Sequence, residues 1–191
     1  LGGFLGYVGF IVELIPRAVI APILIFVALD IMCQAFHACP VRHAPAVAFA
    51  YFPTVARLLQ IKLSSPDFVP VEIFNRQLVA VGKGLPELLV TVALGNGFIL
   101  TAMLWGAFMA KLIDRQIRVA AFYVADCALL TFFGIIHSAI PDGSMYLPWT
   151  LAYPANQVPF QFTAGYLALA ALLVMLSFSK ESGEGRAPQH Y

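Results

Sequence analysis

Five stretches of this sequence are apolar for long enough to cross a lipid bilayer, over 18–38, 45–63, 85–110, 117–140 and 160–178, after a shorter apolar run over 1–15. That pattern constrains the fold more than any other feature. In hydrocarbon every backbone N–H and C=O needs a partner within the protein, so the expectation is an all-α polytopic membrane bundle of about five full spans plus a truncated first helix. Composition agrees, because charged residues make up 11% of the chain, against about 25% in soluble domains. Soluble enzymes, disordered tails and secreted disulfide scaffolds are set aside on that ground. The net charge of +1, with Lys and Arg scattered between apolar runs, also sets aside nucleic acid as a partner.

The run over 1–15 is shorter than the roughly 20 residues that cross a bilayer, and no charged segment precedes it as a signal peptide would require. The sequence is therefore expected to open inside a membrane helix of a longer protein. The expected organisation is a transmembrane helical region over 1–179 and a polar, disordered cytoplasmic tail over 180–191. Orientation follows from the basic residues of the short loops. Lys111, Arg115 and Arg118 cluster between two runs, the stretch 141–159 has no Lys or Arg, and Lys180 and Arg186 follow the last run. These features put the 111–118 loop and the C-terminus in the cytoplasm. Alternation then places Arg42 inside, and Arg17 and the 64–84 segment outside, the last in spite of Arg76 and Lys83.

Two outer segments are longer than a tight bundle needs. Within 64–84, Val71-Glu72-Ile73-Phe74-Asn75-Arg76-Gln77-Leu78-Val79 has the pattern of a short amphipathic helix at the membrane surface. The 141–159 segment carries Tyr146, Trp149 and Tyr153, which suit the headgroup level. The run 45–63 is the weakest of the five, interrupted by Pro53, Arg57 and Gln60.

Ionisable groups inside a span are costly and mark candidate functional positions. Asp30, Gln34 and His37 stand at i, i+4 and i+7 on one helix face, which suits either a proton or cation relay or a polar seal between two helices. Asp126 lies in the middle of another run, with Thr131 and His137 after it, and carries the same two readings. Gly95-Asn96-Gly97 interrupts a third run. Such a break can free backbone groups toward a cavity, and small residues equally let helices pack closely.

His37, His43, His137 and His190, together with Cys33, Cys39 and Cys127, lack the spacing of metal or haem ligands. The histidines read as structural and the cysteines as small buried hydrophobes. With no nucleophile elbow, phosphate-binding loop or dinucleotide fingerprint, no enzymatic activity, cofactor or metal is expected.

Ile15-Pro16-Arg17 followed by Ala21-Pro22-Ile23-Leu24-Ile25 and an apolar helix reaching Met32 resembles the corresponding stretch of bacterial guanine/hypoxanthine permeases of the xanthine/uracil permease superfamily. The resemblance extends to 45–59 and to Ala93-Leu94-Gly95-Asn96-Gly97-Phe98-Ile99 through Trp105-Gly106. In that family the second of these segments follows the first almost directly, whereas residues 60–90 intervene here. The resemblance implies a multi-pass protein of the cell inner membrane and nucleobase transport by cation symport. It further implies that these helices are gate helices facing lipid or a second copy in a homodimer. Acidic substrate contacts would lie in the remaining N-terminal part of the same transporter, where small-molecule substrate and coupling cation bind. The competing expectation is a non-transporting membrane subunit or scaffold.

Overall fold

The computed structural model describes residues 17–79 and 85–184, so the 1–15 run and the end of the tail lie outside the described residues. The chain divides into two compact units, Leu1–Ala44 and Pro45–Tyr191. In the first, α1 (Arg17–Ala38) has Pro22 inside it, and its apolar residues are spread around the whole circumference. Ile23, Leu24, Ile25, Phe26 and Ile31 are exposed. A helix apolar on every side is a helix for an apolar medium. Cys33 is also exposed and Cys39 partly so, and of the three cysteines only Cys127 is the buried small hydrophobe the sequence suggests.

In the second unit, α2 (Ala44–Ala50) and α3 (Phe52–Leu63) meet at Tyr51, which keeps helical angles. The stretch Val41–Leu63 is long and apolar enough to cross a membrane. α4 (Val71–Val79) follows where the amphipathic pattern places it, burying Phe74 against α5. α5 (Glu87–Gly95) and α6 (Phe98–Ile113) occupy the run 85–110, which is not one helix: their axes bend by 83° at the break. α7 (Ile117–Phe132) stops well before Ile140, and an irregular strap over 133–147 takes its place. α8 (Gln157–Glu184) contains the second long apolar stretch, Gln157–Ser179. It continues through 180–184, where the sequence suggests disorder, because nothing in Lys180-Glu181-Ser182 breaks a helix.

Among the described residues, two helical stretches are therefore long and apolar enough to span, or three when the bent pair counts as one. Of the three runs that do not form a single long span, 18–38 is described as apolar helix only over Pro22–Ala38, shorter than a crossing, and the other two have a common physical cause. Hydropathy measures how oily a stretch is, and Gly97 and the strap interrupt helices without making them less oily.

α7 and α8 form an antiparallel pair, with Arg118 over the Phe178 ring at 5.4 Å at one end and Phe132 against Phe160 at 6.2 Å at the other. Ala120, Ala121, Val124, Cys127 and Ala128 form the buried stripe of α7. Small residues there let the helices approach closely, and Phe108, Ala170 and Leu173 close the core from α6 and α8. A second core joins Leu89 and Ala93 of α5 to Ala139 and Tyr146 of the strap and Val158 of α8.

A candidate functional site at a broken helix

The break is built around Asn96 and Gly97. Asn96 caps α5 in extended conformation, and Gly97 starts α6 with φ +69°, a left-handed value that non-glycine residues adopt only with strain. A Cβ there would also lie 2.6 Å from the Ile135 carbonyl oxygen and 2.8 Å from Ile136 Cα. Gly95 answers the packing reading instead, since a Cβ there would press on Gln60 and lie 3.1 Å from Arg57 Cα in α3.

Freed backbone groups are gathered by two side-chain amides, each 2% exposed. Asn96 Nδ2 donates to the carbonyls of Ser138 (2.9 Å) and Ile140 (2.7 Å), and the Asn96 carbonyl accepts the His137 N–H at 3.1 Å. Gln60 Nε2 donates to Asn96 Oδ1 (3.0 Å) and the Pro141 carbonyl (3.3 Å). Arg57 Nη1 donates to Gln60 Oε1 at 2.9 Å and reaches Asn96 Oδ1 at 3.5 Å. One orientation of each amide satisfies every contact, with both NH2 groups toward carbonyls and both oxygens toward donors. The result ties α3, the helix break and the strap into one polar node.

Beside the node lies a cavity of about 240 Å³ lined by Arg57, Asn96, Gly97, Phe98, Asp142 and Gly143, among others. The backbone N–H and the hydroxyl of Ser144 bind Asp142 Oδ1 and hold its carboxyl below the usual carboxylate range, so it is ionised at neutral pH. Larger clefts open elsewhere. One of about 450 Å³ has Trp105, Phe162 and Tyr166 in its wall, and one of about 410 Å³ lies between α4 and α5.

A second polar junction sits deeper. The Tyr166 hydroxyl accepts from Trp105 Nε1 at 2.9 Å and is 2.7 Å from His137 Nε2. His137 is fully buried, adopts φ +54° and stacks on the Tyr166 ring at 5.7 Å. Its Nδ1 has no hydrogen bond of good geometry. One hydroxyl thus joins α6, the strap and α8. Tyr166→Phe is expected to lower stability by roughly 2 kcal/mol by stranding the indole N–H and Nε2, and to shift Trp105 fluorescence. Unchanged emission and melting would count against the junction.

Of the residues singled out from sequence, Asn96 is at the centre of the node. Asp30, Gln34 and His37 lie exposed on α1, with Gln34 Nε2 donating to Asp30 Oδ2 at 2.6 Å. Asp126 is partly buried on α7. His137 is not on the same helix as Asp126 but in the strap. Arg57, Gln60, Trp105 and Tyr166 were not singled out as site residues. Arg57 and Gln60 register in the sequence only as interruptions of an apolar run, and nothing in the spacing links them to Asn96, 39 and 36 residues away. Among the described residues no group of three His, Cys, Asp or Glu is gathered as metal ligands. No protein-family description, curated protein or solved structure matches this chain.

Proposed function

We propose that this chain supplies membrane-embedded helices of a secondary-active permease similar to nucleobase:cation symporters, with five crossings in the order of the apolar runs and a cytoplasmic C-terminus. The observation that supports this reading is the 83° break between α5 and α6, held by buried amides and opening onto a polar cavity. Irregular backbone at membrane depth is tolerated where it is buried in protein or lines a cavity, and broken helices carry the substrate and ion sites of many secondary transporters. In this reading the helices work with the remaining N-terminal part of the same transporter, which carries small-molecule substrate and coupling cation, and their outer surface meets lipid or a second copy. No cofactor, metal or enzymatic step is assigned.

The test is uptake of labelled hypoxanthine, guanine and uracil by cells that lack their own carriers and express the complete reading frame. Accumulation should vanish when the cation gradient is collapsed. Asn96→Leu should reduce it about tenfold, the equivalent of roughly 1.4 kcal/mol, at matched protein abundance. Asp30→Asn should reduce uptake more than Asp126→Asn, because Asp30 lies on the polar stripe of α1. Absence of gradient-driven accumulation, or wild-type rates in all three variants, leaves the non-transporting subunit or scaffold as the better reading.

A further inference from the structure

Arg57 lies within Val41–Leu63, a stretch long and apolar enough to span, and among the described residues no carboxylate pairs with it. Ionisable groups in such stretches are retained where they meet a partner or a pathway. A guanidinium offers five N–H donors, and the contacts of Arg57 with Gln60 and Asn96 use only Nη1. Those contacts fix the group in place, since both amides are buried. Three of the residues that line the cavity beside it, Gly95, Gly97 and Gly143, have no side chain to fill the space. A Cβ at Gly143 would lie 3.3 Å from Asn96 Oδ1, tight enough to narrow it. Phe98, Ile99 and Leu100 line the same cavity. They open α6, whose cap residue Gly97 has no side chain to take their amides.

We infer that this cavity binds an oxyanion of the phosphate class, with the free edge of the Arg57 guanidinium as its principal ligand and the first amides of α6 as secondary donors. A planar fork suits a phosphate oxygen pair. Asp142 on the rim is the opposing charge. It is exposed, so solvent and salt screen it more than they screen the partly buried Arg57, and its effect is to weaken binding without abolishing it. The phosphate can be free in solution or belong to a lipid headgroup. The inference does not rest on transport and would survive failure of the permease reading.

The test uses the full chain in nanodiscs of digalactosyldiacylglycerol, a bilayer lipid without phosphate, melted while inorganic phosphate is titrated against chloride at matched ionic strength. A ligand of the folded state raises the melting temperature saturably. A saturable rise with free phosphate identifies a solution anion. A rise seen instead on replacing part of the lipid with phosphatidylglycerol identifies a headgroup. Arg57→Gln is expected to weaken the effect about tenfold, Arg57→Lys, which keeps charge but not the fork, by a smaller factor, and Asp142→Asn to strengthen it about threefold. Should Arg57→Gln fail to fold, the Lys and Asn variants still decide. No saturable effect of either phosphate source, or responses identical to wild type in the folded variants, overturns the proposal.

Discussion

Asn96→Leu is expected to destabilise the protein by about 3 kcal/mol, because one buried carbonyl loses its partner and two further polar groups each lose one of two. The Ser138 carbonyl is stranded without Nδ2, the Ile140 carbonyl keeps only the Gly143 N–H, and Gln60 Nε2 keeps only the Pro141 carbonyl. A stranded buried group costs about 1–3 kcal/mol and the two lost hydrogen bonds to groups that keep a partner about 0.5–1.5 kcal/mol each, and strap relaxation recovers part of the sum. In a chain of this size that corresponds to a fall in melting temperature of roughly 10 °C, measured by thermal unfolding in detergent. Asn96→Asp gives a sharper form of the test. Its carboxylate would face two carbonyls that need a donor, while the protonated acid can donate to one of them. This variant is therefore expected to be more stable at low pH, where the acid can donate, than at neutral pH. A loss under about 1 kcal/mol for Asn96→Leu, or a pH-independent Asp variant, would mean that water and not the node satisfies the strap.

Gly97→Val is expected to cost at least about 3 kcal/mol, from a left-handed backbone that a β-branched residue resists and from overlap with Ile135 and Ile136 of the strap. Gly165 supplies the contrast. It lies within α8 and a Cβ there would meet nothing within 4 Å, so Gly165→Ala should stabilise by up to about 1 kcal/mol through helix propensity alone. Denaturant midpoints of the two variants should therefore move in opposite directions. Tolerance of valine at 97 would mean that the two helices can reconnect without the turn.

Local pattern in the sequence was informative where the structure is local. The amphipathic helical spacing of Val71–Val79 matches α4, the spacing of Asp30 and Gln34 matches an i, i+4 hydrogen bond, and Gly95-Asn96-Gly97 marks the break. What stayed hidden is long-range. Phe98 and Ile99 are as apolar as Val92 and Leu94, so a hydropathy window passes over an 83° bend. Thr131 and His137 look like one face of a helix, yet α7 has ended at Phe132. Gln60 and Tyr166 become site residues only when chain segments far apart in sequence are brought together.

The α7 and α8 pairing also bears on the membrane itself. Sixteen residues of α7 rise about 24 Å, while the 23 residues of Gln157–Ser179 rise about 35 Å. In the five-crossing reading proposed above both helices would cross, and neighbours of such unequal reach cannot both match a hydrocarbon layer of about 30 Å. The bilayer beside α7 would have to thin while α8 leans, giving the protein a thickness gradient around its girth. On that reading, lipids with short acyl chains should gather on the α7 side, and the protein would respond to membrane thickness.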